Sequence, residues 1–184
     1  VGYSAAVWRR ASLSVYRTIG EPKALLVSPP VKIQAECPLA EPGKTRPTCQ
    51  VFPPAKLGYF NLHGLPDAVE WFGQRDPTEP SGGDDFPLAL RPADIGATGA
   101  NGHPQPVPRV IFSEACYGAH ILDKTQDESI SLKFLTSGSR AFVGSTCISY
   151  GSISTPLIAA DLLGRAFWSY LQEGYPAGEA LRRA

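Results

Sequence analysis

Methionine is absent from all 184 residues, position 1 included. The last residues, 179–184, still read as helix, so we expect a piece of a longer protein whose other domains lie elsewhere in the parent chain. A missing signal peptide then excludes nothing. An excess of either charge is also lacking: Lys+Arg and Asp+Glu number 17 each, for a formal net charge of zero. Nucleic-acid and membrane-surface partners, which usually need a basic excess, are therefore not expected. No apolar run approaches the roughly 18 residues of a membrane helix. Cysteine is sparse, and Cys37, Cys49, Cys116 and Cys147 show no C-x-x-C spacing, which leaves a zinc ribbon or thioredoxin motif unsupported. There is no G-x-S-x-G elbow, no phosphate-binding loop and no internal repeat.

The residues that are present describe one domain large enough to bury a sizeable core. Residues 4–18 read as a helix closed by Gly20, and residues 24–27 as a short buried strand stopped by Pro29 and Pro30. Residues 36–54 read as an irregular loop. Cys37 and Cys49 flank this loop; they pair if the protein is exported and otherwise stay free thiols. Residues 57–62 form a second strand, and 66–73 a turn of helix. Residues 76–108 are so rich in proline and glycine that they hold neither a helix nor an interior strand. A loop of this length is functional or a linker.

Residues 109–113 form a continuous apolar strand of the parallel-sheet kind. A helix over 129–135 and a strand over 140–144 follow, the latter running on toward Cys147, read as a core residue. The last long helix has Thr155 as N-cap, Pro156 in its first position and Gly174 at its end. Leu157, Ala160, Gly164, Phe167, Trp168 and Leu171 form its apolar stripe. Strands alternating with helices give an α/β class: a three-layer sandwich around a mostly parallel sheet.

Two short segments carry chemistry. His63-Gly64 ends one apolar strand, and Glu114-Ala115-Cys116-Tyr117-Gly118 ends another, with the histidine about 50 residues upstream of the cysteine. Ligands of open α/β sheets bind at the carboxyl ends of strands, where both segments fall. If the strands are neighbours, the His63 imidazole assists formation of the Cys116 thiolate, and the thiolate attacks a carbonyl. The backbone N–H groups of Gly64 and Cys116 are the candidate oxyanion donors. Taken singly, a histidine and a cysteine at strand ends are more often structural than catalytic; their order and spacing favour the catalytic reading.

Asn61-Leu62-His63-Gly64 and Ser113-Glu114-Ala115-Cys116-Tyr117-Gly118 resemble the caspase–hemoglobinase group of cysteine peptidases, which includes caspases, legumain, clostripain and gingipains. From Arg140-Ala141-Phe142-Val143-Gly144-Ser145 through Phe167-Trp168 to residues 174–180, the chain looks most like bacterial gingipain-type peptidases and CHAT domains. The resemblance covers about 57–184, and the usual first strand of that fold has no evident counterpart upstream. It implies a caspase-like fold and a cysteine endopeptidase acting on a peptide or protein substrate through a Cys/His dyad, with no third orienting residue. It also implies an S1 pocket in which Glu114 lies on the floor and selects a basic P1 residue, Arg or Lys, with Asn second. Ser145, Thr146 and Tyr150 belong to a segment similar to the family's substrate-binding strand, which pairs with an extended peptide; Tyr150 walls the pocket or packs in the core.

Family members are often matured by cutting linkers, and Arg75, Arg91 and Arg109 in or beside the 76–108 loop suit self-cleavage. No cofactor is expected. Asp84-Asp85 is the one candidate for calcium, which some relatives use, but it falls short of the 6–8 oxygens calcium takes. The Cys116–His120 spacing lacks further ligands for zinc. His103 and His120 are read as bystanders. A secreted or cell-envelope setting in a bacterium is favoured over the cytoplasm. The competing reading is a catalytically silent caspase-like module that binds partners.

Overall fold

A computed structural model describes residues 1–34, 49–50, 53–79, 82–98 and 102–184. Strand β1 (Gly2–Ala5) leads through a 3-10 turn (Ala6–Trp8) into helix α1 (Arg9–Tyr16) and then strand β2 (Leu25–Ser28). Short strands β3 (Lys32–Ile33) and β4 (Cys49–Gln50) pair with each other in parallel. Strand β5 (Leu57–Asn61) precedes an antiparallel ribbon of β6 (Trp71–Phe72) and β7 (Leu88–Leu90). Strand β8 (Val110–Ser113), helix α2 (Ile130–Thr136), strand β9 (Ala141–Val143) and helices α3 (Ala159–Gln172) and α4 (Ala177–Arg183) complete the order.

The main sheet has five strands in the order β2-β1-β5-β8-β9, and every pairing is parallel. Alternation along the strands sorts the core into two layers. Phe60 and Ile111 face α2 and the β6–β7 ribbon, packing with Trp71, Leu90, Ile130 and Phe134. Tyr59 and Phe112 face the other way, against Val15, Phe167, Trp168 and Ala180 of α1, α3 and α4. The result is an α/β sandwich with a parallel sheet as its middle layer.

Several local expectations change. The segment read as a helix from residue 4 begins as strand β1, which lies inside the sheet between β2 and β5. Gly2–Ala5 is therefore a sheet strand that the sequence reading merges into the helix. Residues 66–73 form no helix; Trp71 and Phe72 instead pair with Leu88–Leu90 of the proline-rich segment, because the ribbon lays the Trp71 ring over the sheet, where it is buried. Helix α3 starts at Ala159 rather than beside Thr155 and Pro156. The helix has no side-chain cap; the Ser152 hydroxyl instead pins the residues before it, accepting from the Ile158 N–H and donating to the Pro156 carbonyl. Gly174 closes the helix end with φ +97°.

Cys147 is exposed, not a core residue. Strand β9 ends at Val143, and the chain then leaves the sheet as an irregular segment. Cys37, and with it any pairing to Cys49, lies outside the described residues. Among the described residues, no helix is long and apolar enough to cross a membrane.

Candidate active site

The chain leaves β1 toward β2 on one side and enters β5, β8 and β9 on the other, so the strand order reverses between β1 and β5. A reversal of this kind opens a crevice at the carboxyl ends of the strands. The turn after β1 delivers Trp8 there, and the end of β5 delivers His63, whose ring centroid is 4.4 Å from that of Trp8. Adjacent strand β8 delivers Glu114 and Cys116. A cavity of about 260 Å³ is lined by Trp8, Asn61, Leu62, His63, Glu114, Cys116 and the 148–152 segment.

His63 is fixed from several directions. Its backbone N–H and C=O exchange hydrogen bonds with Phe72, both 2.9 Å. Its Nε2 lies 2.7 Å from Gln74 Oε1, and Phe86 meets the ring edge-on at 5.3 Å. Gly64 packs so closely on Cys116 that a Cβ there would overlap the Cys116 carbonyl oxygen. Among the described residues the backbone N–H groups of Gly64 and Cys116 have no acceptor.

The segment after β9 is laced onto the cysteine turn. The carbonyls of Ser145 and Cys147 accept from the N–H groups of Ala119 and Tyr117, both at 2.8 Å. The Ser149 N–H points at Cys116 Sγ (3.2 Å), and the thiol lies 3.3 Å from the Ser149 carbonyl. Residues 145–150 thus form an irregular segment rather than a strand. Tyr150 lines the cavity with 71% of its surface exposed and is not packed in the core. Ser145 lines a neighbouring depression with Ile148, Ser149 and Tyr150, and Thr146 borders neither cavity.

Glu114 lines the cavity with only 6% of its residue surface exposed. The Tyr59 hydroxyl donates to its Oε1 at 2.8 Å, whereas Oε2 has no partner among the described residues. Asp161 of α3, fully buried beside it, accepts the Ser152 N–H through Oδ2 and leaves Oδ1 unpaired. Burial, then the Asp161 carboxyl, pushes Glu114 well above the usual carboxylate range. Burial and the Glu114 charge likewise push the Tyr59 phenol up. Glycine at position 164 lets α3 come this close, since a Cβ there would stand 2.9 Å from Phe112 Cε1 and 3.4 Å from Glu114 Oε1. A single proton on the carboxyl pair, or a cation entering from the cavity, would satisfy the orphaned oxygens.

The other candidates lie apart. Asp85 of the Asp84-Asp85 pair faces Arg75 at 3.6 Å, and no group of three or more metal-ligating side chains occurs among the described residues. His120 meets Tyr117 edge-on rather than joining the cleft. Arg109 is built into the sheet, its N–H on the Lys56 carbonyl and its carbonyl on the Arg140 N–H. Arg91 is held by both oxygens of Asp94 at 3.0 Å.

Four contributors escape a reading of the sequence alone: Trp8, Gln74, Ser152 and Asp161. Asp161 left one signal, an acid within the apolar run Leu157-Ile158-Ala159-Ala160-Asp161-Leu162-Leu163. In comparisons with known proteins, no family model, no curated sequence and no solved structure matched the chain.

Proposed function

We propose that this chain is a caspase-like cysteine endopeptidase that cleaves after a basic residue, Arg or Lys, with Asn as the second choice. One observation carries the reading: Cys116, His63 and the buried Glu114 border a single cavity at the carboxyl ends of adjacent parallel strands. In the reaction, His63 takes the proton of the Cys116 thiol and the sulfur adds to the scissile carbonyl carbon. The resulting oxyanion is held by the free N–H groups of Gly64 and Cys116. Collapse breaks the C–N bond as His63 returns the proton to the leaving amine, and water then hydrolyses the thioester. On binding, the P1 backbone N–H takes over the Ser149 carbonyl and frees the thiol to react. The P1 cation reaches Glu114 from the cavity and takes the place of its proton, so the unpartnered Oε2 acquires a partner.

The test is cleavage of matched peptides with Arg, Lys, Asn or Asp at P1, by the wild-type protein and by Cys116→Ala. Turnover of the Arg and Lys peptides, lost in Cys116→Ala and His63→Ala, is the expected result. A preference for Asp would overturn the specificity. No turnover, together with no labelling of Cys116 by a P1-Arg electrophile, would overturn the peptidase reading.

A further inference from the structure

We infer that Gln74 is the residue that sets the tautomer and pose of His63, a third member of what the sequence presents as a dyad. The inference rests on the proposed peptidase reading but stands on its own geometry. His63 Nε2 and Gln74 Oε1 are 2.7 Å apart. An amide oxygen can only accept, so Nε2 carries the proton and Nδ1 is left with the lone pair that a base requires. The amide is neutral, so the bond survives when the ring becomes imidazolium, without the standing bias toward the charged form that a carboxylate would impose.

Gln74 is itself held at the strand-order reversal. Its N–H donates to the Ser28 carbonyl at the end of β2, and its carbonyl accepts the Val7 N–H from the turn after β1, both at 3.2 Å. Its neighbour Gly73 lies so close to Ser28 that no side chain would fit there. The amide is thus fixed by the same backbone that forms the crevice, while Trp8 and Phe86 both pack against the ring. Around the imidazole, Cys116, Glu114 and the Tyr150 phenol are the ionisable groups that share its cavity; its other close contacts, Trp8, Phe72, Phe86 and Gln74, are uncharged.

Two variants of Gln74 separate positioning from mere packing. Gln74→Met keeps the volume and removes the acceptor, and Gln74→Glu keeps the acceptor oxygen and adds charge. The first readout is the ¹⁵N spectrum of His63 in a Cys116→Ala background, which needs no activity. The expected result is an Nε2-protonated ring with the native Gln74 and a mixture of tautomers in Gln74→Met. In Gln74→Glu the titration midpoint of the ring should rise by about one unit or more. The second readout is turnover of a P1-Arg peptide. Correctly placed acid–base groups are worth about 10²- to 10⁴-fold, so Gln74→Met should lower kcat at least about tenfold with KM little changed. Gln74→Glu should recover most of kcat while moving the acid limb of the pH profile upward.

An unchanged His63 spectrum in Gln74→Met overturns the inference, as does a rise in KM with kcat intact. Should Gln74→Met fail to fold, the Gln74→Glu midpoint decides, and an unmoved midpoint overturns it. A wild-type protein inert toward P1-Arg peptides counts against the peptidase reading, and the spectrum still decides the role of Gln74.

Discussion

A glutamate whose carboxyl meets a tyrosine hydroxyl on one side and a second buried carboxyl on the other keeps its proton at pH values where glutamate is ordinarily ionised. The sign of the resulting pH dependence follows directly. The folded state binds this proton more tightly than the unfolded state, so the contribution of Glu114 is fully present below the ordinary carboxyl value near 4.5 and is lost as pH rises toward its elevated value. Glu114→Gln should flatten that decline in denaturant titrations run across the pH range. The same substitution should weaken processing of P1-Arg peptides: leaving a buried cation without its partner costs about 3 kcal/mol, or roughly a hundredfold in kcat/KM. A P1-Asn peptide, which brings no charge, should lose much less. An equal loss on both peptides would show that Glu114 shapes the cleft without selecting for charge.

At the scale of elements, what could be read from the sequence followed the length and regularity of each pattern. Strands β5 and β8 are continuous apolar runs ending in His63 and Cys116 segments, and the α3 stripe of Gly164, Phe167 and Trp168 is buried as its spacing predicts. Strand β1 was illegible because its four residues pass into a 3-10 turn and α1 without a breaker, so the strand period never separates from the helical one. The gathering of His63, Glu114 and Cys116 at strand ends was legible because it needs only a residue and its place on a strand. Gln74 and Asp161 were not, because their neighbours His63 and Glu114 lie on other elements and no sequence period links them. The tight seam between α3 and β8 makes its own prediction. Gly164→Val should cost about 2 kcal/mol, since Phe112 is hemmed in by Phe167 and Trp168 and cannot withdraw. Gly178→Ala in α4, where a Cβ meets nothing within 4 Å, should instead add about 0.5–1 kcal/mol through helix propensity. Urea midpoints of the two variants should therefore move in opposite directions.

For the whole molecule, the sheet separates two apolar layers that share no side chain among the described residues. Phe134 packs with Phe60 and Phe142 on one face, and Phe167 with Phe112 and Trp168 on the other. Phe134→Leu and Phe167→Leu should each cost about 1 kcal/mol, and the double variant should match their sum within about 0.5 kcal/mol. A larger discrepancy in denaturant unfolding would mean that the middle layer transmits strain between the faces. The crevice at the strand-order reversal has a consequence for the protein's own synthesis. Trp8, His63, Cys116 and Ser149 border one cavity yet are spread over most of the chain. At ribosomal speeds of about 5–20 residues per second, the last of them trails the first by roughly seven to thirty seconds. Under the proposed function, a nascent chain thus carries its nucleophile into the cell unarmed, and neighbouring polypeptides are spared until the segment that completes the cleft has been made.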